Sequence, residues 1–154
     1  MLIDDKIKLA EQYFKYRKQI LEAVKIKRQE LNSKPGIIMP KNKYQVTDPT
    51  AQEAIHNLER IEKVKIYPKD RPEGITISDP EEWLDVIDTV YSEYKNKSIG
   101  IAVKNQLEKK ISANVISGLM GVTRTVYYTK RKLFFVDAVF LAQERDLFKK
   151  HKSV

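Results

Sequence analysis

The run Ile111-Ser112-Ala113-Asn114-Val115-Ile116-Ser117-Gly118-Leu119-Met120-Gly121-Val122-Thr123-Arg124-Thr125-Val126-Tyr127-Tyr128-Thr129-Lys130-Arg131-Lys132-Leu133 carries its own start and stop signals. Ser112 is a side-chain cap for a short helix over Ala113 to Met120. Ile116 and Met120, four residues apart, face inward, and Ser117 is small where a neighbouring helix must come close. Gly121 stands at the turn, where a left-handed backbone is needed and the absent Cβ removes the strain. Val122 buries the turn. Thr123 caps a second helix whose Tyr127 points back to the core. This spacing predicts a helix-turn-helix.

The outer side of the second helix carries Arg124, Thr125, Tyr128, Thr129 and Lys132, with Lys130 and Arg131 beside them. Arginine forks to guanine, threonine meets thymine methyls and lysine holds phosphates. The candidate DNA-binding set is therefore Thr123, Arg124, Thr125, Tyr128, Thr129, Lys130, Arg131 and Lys132. Arg124, Thr125 and Tyr128 are assigned to base edges, and Lys130, Arg131 and Lys132 to phosphates. The alternative is a helical hairpin with a solvated basic face.

Charge sets this stretch apart from the rest. Met1 to Tyr94 holds 16 Lys+Arg against 17 Asp+Glu, whereas Lys95 to Val154 holds 13 against 4. The whole excess behind the formal net charge of +8 therefore lies in the last 60 residues, as suits a chain that sets one end on a polyanion.

Toward the N-terminus, Asp4 to Asn32 lacks Gly and Pro and predicts one long helix. Ile7, Ala10, Phe14, Leu21, Val24 and Leu31 form its apolar stripe, which Arg17 and Arg28 interrupt. The stripe packs on its own domain or pairs with a second subunit, and is the candidate contact for a homodimer. Ser33-Lys34-Pro35-Gly36 stops the helix, and an irregular connection follows to Tyr44. Asp48-Pro49-Thr50 starts a second helix with Ala51, Ile55, Leu58 and Ile61 on its buried face. Val64, Ile66, Ile75 and Ile77 alternate about a Pro-containing loop, as a small hairpin or an extended loop would. Ser78-Asp79-Pro80-Glu81-Glu82 opens a helix bearing Trp83, Ile87, Val90, Tyr91 and Tyr94. Asn96-Lys97-Ser98 ends that helix and opens another, with Ile99, Ala102, Val103 and Leu107 inward.

Enzymatic signals are missing from the chain, which reads as a non-enzyme without cofactor. It has no Cys and two His, His56 and His151, neither in a metal-ligand pattern. There is no Gly-rich phosphate cradle and no Ser-centred nucleophile elbow. Glu81, Glu82, Asp85 and Asp88 form an acidic strip, readable as a nuclease metal site, as a docking face for a basic partner, or as acids serving the helix dipole. No apolar run is long enough to span a membrane and no export signal is visible, so a cytoplasmic protein is expected.

From Asp48-Pro49-Thr50-Ala51 through Pro80-Glu81-Glu82-Trp83-Leu84 to the C-terminal motif, over about Val46 to Leu147, the chain resembles the phage late-gene transcription regulators of Gram-positive bacteria, the RinA and ArpU-like group. Ile111-Ser112 and Gly121-Val122-Thr123-Arg124-Thr125 through Tyr128 look like the end of a sigma-factor region 4 domain. Val126-Tyr127 and Lys130 depart from that motif. The resemblance implies binding to double-stranded DNA at a promoter upstream of packaging and morphogenesis genes, acting with host RNA polymerase in the host cytoplasm. The expected fold is an all-α helical bundle with a C-terminal sigma region 4-like helix-turn-helix. Its expected parts are an N-terminal helix and linker (1–46), a central helical region (47–94) and a basic DNA-binding region (95–154). A small terminase-type packaging component and a helical protein-binding adaptor are the other two readings.

Overall fold

The computed structural model describes residues 1–32 and 60–149, and the chain is mostly helical. The connection to Tyr44, the helix expected from Asp48, both histidines and the last five residues lie outside the described residues. Among the described residues there are six helices and one two-stranded sheet. In chain order they are α1 (Ile3–Lys15), α2 (Arg17–Asn32), β1 (Lys63–Ile66), β2 (Ile75–Ser78), α3 (Pro80–Glu93), α4 (Ser98–Glu108), α5 (Ala113–Met120) and α6 (Arg124–Glu144). No helix among the described residues is long and apolar enough to cross a membrane.

The single N-terminal helix expected over Asp4 to Asn32 is two helices. Tyr16 ends α1 with φ −99° and ψ 18°, its N–H donating to the Gln12 and Phe14 carbonyls. The physical reason lies in the apolar phase. A straight helix carrying the stripe onward from Phe14 would bury Arg17 and Lys18. The break instead buries Tyr16 and Ile20, while Arg17 is free to meet Asp88 at 2.8 Å.

The chain's contacts divide it into two compact units. One unit joins Met1–Arg17 to Glu82–Val154; the other is Lys18–Glu81. In the smaller unit β1 and β2 form an antiparallel hairpin in the register Val64↔Ile77 and Ile66↔Ile75, which puts Val64, Ile66 and Ile77 among the buried residues. Ile61 is buried too, but in extended chain ahead of β1 and not in a helix. Asp79 closes this unit. It is buried in the left-handed conformation (φ 51°) and takes an ion pair from Arg60.

The larger unit is organised by aromatic rings meeting edge to face, the arrangement that sets a positive ring edge on a negative face. Phe14 of α1 is fully buried and lies 5.2 Å from Phe135, 5.7 Å from Phe134 and 5.4 Å from Tyr91. Trp83, also fully buried, lies between Tyr13 at 4.8 Å and Phe148 at 5.5 Å. Burial pushes the Tyr13 hydroxyl pKa up to about 12. Tyr91 also rises, because burial and then the charge of Glu108 disfavour its phenolate. Ile7, Ala10 and Phe14 thus belong to the chain's own core, and a homodimer through α1 would have to use other residues.

Removing the Phe14 ring should cost about 3–5 kcal/mol, because it opens a cavity between α1 and the Phe134–Phe135 pair. Urea unfolding of Phe14→Ala followed by circular dichroism measures this; a loss under about 1 kcal/mol would place Phe14 outside the core.

Candidate nucleic-acid interface

Helices α5 and α6 are joined by a turn whose geometry follows residue by residue from its sequence. Ser112 Oγ accepts from the Val115 N–H at 3.3 Å, capping α5. Gly121 adopts φ 71° and ψ 29°; its N–H reaches the Gly118 carbonyl at 3.1 Å, and the Val122 N–H reaches the Ser117 carbonyl at 3.0 Å. These paired bonds close a helix end in the Schellman manner, and the hydrophobic contact that accompanies the motif is present where Val122 packs on the Ile116 cluster. Thr123 Oγ1 accepts from the Val126 N–H at 3.2 Å and caps α6. Beneath the turn, Ala102 of α4, Ala113 and Ile116 of α5 and Tyr127 of α6 form a small core, with Ile99, Ile111, Met120 and Val122 against it.

Tyr127 is fixed at both ends. Its ring is fully buried and its hydroxyl donates to Gln106 Oε1 of α4. Burial raises its pKa, against the lowering influence of Arg131. The same Gln106 oxygen accepts from Arg131 Nε at 3.0 Å, while Arg131 Nη1 donates to Glu11 Oε1 of α1 at 3.1 Å. The Arg131 guanidinium also lies 5.0 Å from the centre of the Phe135 ring. Arg131 therefore braces α6 against α1 and α4, and its charge has an internal partner.

The remaining expected contacts separate into two groups. Arg124, Thr125, Tyr128, Thr129 and Lys132 are exposed along one side of α6. Arg124 sits 5.8 Å from the Tyr128 ring centre, and its Nη1 reaches Asn114 Oδ1 of α5 at 3.5 Å. Thr129 Oγ1 donates to the Thr125 carbonyl at 3.1 Å, and the residue is exposed. Lys132 ends this row, 4.0 Å from Asp4 across open surface. Lys130 falls on a different side of the helix, with Val126 and Leu133. Thr123 sits at the turn with its oxygen occupied by capping. Sequence reasoning passed over Asn114, which joins Arg124 from the neighbouring helix, and the exposed Lys109 and Lys110 just before the Ser112 cap. The two lysines were legible as a basic pair beside a cap; the Asn114 contact depends on how the helices cross.

The acidic strip is ion-paired. Arg145 meets Glu82 at 3.5 Å and also pairs with Asp85, Arg17 takes Asp88, and Arg28 takes Glu81. Hydrogen bonding from Arg145 to Asp85 accordingly raises the arginine's pKa. Among the described residues no group of three or more side chains is placed to hold a metal ion. Comparison of the chain with protein families, with curated proteins and with solved structures finds no match in any of the three.

The two glycines of α5 and its turn should respond oppositely to alanine. A Cβ at either meets nothing within 4 Å, so only the backbone decides. Gly121→Ala forces a left-handed alanine and should lose about 1–2 kcal/mol. Gly118→Ala lies within α5 and should gain about 0.5–1 kcal/mol. Urea denaturation of the two variants checks the signs.

Proposed function

We propose that the chain binds double-stranded DNA with the α5–turn–α6 unit, used as a sigma region 4-like helix-turn-helix, and that it serves as a non-enzymatic transcription regulator of the phage late-gene kind acting with host RNA polymerase. The observation that carries the DNA reading is the exposed row Arg124, Thr125, Tyr128, Thr129 and Lys132 at the start of α6. The row is rigidly capped by Thr123 and lies within the segment holding all the excess positive charge. A major groove admits one α-helix, and the first turns of a recognition helix are the part that reaches base edges. Arg124, held by Asn114 and Tyr128, suits a guanine edge. Thr125 and Thr129 suit thymine methyls. Lys132, further along, suits phosphate. The promoter role rests on the resemblance alone. A promoter reporter with host polymerase tests it: activation or repression supports a regulator, whereas DNA binding without effect on transcription supports a packaging component.

Roles within the row are separable by affinity. After selection of a preferred duplex, Arg124→Ala should reduce the specific affinity by about 1–3 kcal/mol relative to non-specific duplex. Lys132→Ala should weaken both alike and reduce the salt slope by about one unit. Fluorescence anisotropy at several salt concentrations measures both. Unchanged affinity and specificity in Arg124→Ala would remove α6 as the reading helix.

A further inference from the structure

Helix α6 has a second apolar face that its own unit leaves open. Tyr127, Phe134, Phe135, Ala138, Val139 and Ala142 form the covered face. Val126, Leu133 and Phe140 recur every seven residues on another side and remain 40%, 60% and 55% exposed. Seven residues are close to two turns, so these three line up as one seam, the spacing by which helices pair. Lys130 and Asp137 flank the seam on one edge with opposite charge. Lys130 has no ion-pair partner among the described residues. Asp137 accepts a hydrogen bond from Tyr94 through Oδ2 and keeps Oδ1 for another donor. This seam runs on a different side of α6 from Arg124, Tyr128 and Lys132.

We propose that a second copy of this chain packs on the seam, the two α6 helices antiparallel about a two-fold axis at Leu133. Leu133 then meets the partner's Leu133, and Val126 meets the partner's Phe140, small against large. Lys130 meets the partner's Asp137, and the axis repeats this ion pair on the other side. Leu133 lies near the middle of Arg124–Glu144, so the helices overlap over nearly their whole length with opposed macrodipoles. A parallel pairing would stack Phe140 on its own copy, bring Lys130 against threonine and leave its charge unmatched. It would offer Asp137 only Lys132, which already faces Asp4 at 4.0 Å. The occupant is thus identified by charge complementarity that one orientation satisfies.

The chain has no Cys, so introduced thiols report without background. Val126→Cys and Phe140→Cys chains, mixed under mild oxidation, should form the mixed disulfide, and Leu133→Cys alone should form its own dimer. Sedimentation equilibrium of the unmodified chain should show a dimer that Leu133→Glu converts to a monomer with unchanged circular dichroism. A chain that is monomeric at every concentration overturns the proposal. So do a dimer that survives Leu133→Glu and a Val126→Cys chain that crosslinks mainly to itself. The thiol variants keep these outcomes decisive even if Leu133→Glu fails to fold.

Discussion

The larger unit depends on one shared acceptor. Gln106 Oε1 receives both the Tyr127 hydroxyl and Arg131 Nε, and Arg131 extends the chain of bonds to Glu11. Three helices far apart in sequence are fixed together at this point, over the aromatic contacts of Phe14 with Phe134 and Phe135. In a partly buried setting a donor left without its acceptor costs about 1–3 kcal/mol, so Gln106 helps to hold the rotation of α6 that burial of Tyr127, Phe134 and Phe135 favours. That rotation decides which residues of α6 face outward.

Three different uses follow around the circumference of α6. The inner face is core. The side bearing Arg124, Thr125, Tyr128, Thr129 and Lys132 is polar and basic, and is the proposed DNA face. The side bearing Val126, Leu133 and Phe140 is apolar, and is the proposed self-association face. The acid beside the basic row, Asp4 at the start of α1, lies 4.0 Å from Lys132 and weakens its field. Lys132 is the residue it affects most directly.

Local signals in the sequence were sufficient for local structure. Ser112, Gly121 and Thr123 fix both helix ends and the turn through bonds within a few residues, so their roles could be read directly. The alternation of Val64 and Ile66 with Ile75 and Ile77 left a hairpin and an extended loop both open, and the pairing of Val64 with Ile77 and Ile66 with Ile75 decides for the hairpin. The break at Tyr16 was hidden, because no Gly or Pro marks it; it follows from the charge of Arg17 and Lys18 against a buried phase. The assignment of Arg131 was hidden for a related reason. A basic residue on a basic helix reads as surface until Glu11 and Gln106, 120 and 25 residues away, are brought beside it. Residue type said what Arg131 can bind, and only the packing said that its partner is internal.

The central claim is that the start of α6 forms a DNA face, and backbone amide shifts during titration with duplex DNA test it most directly. In a ¹⁵N-labelled chain, the largest perturbations should fall at Asn114 and at Arg124 through Thr129, with little change in the Lys63–Ser78 hairpin. Saturable shifts confined to the hairpin, or no shifts at low salt, would contradict it.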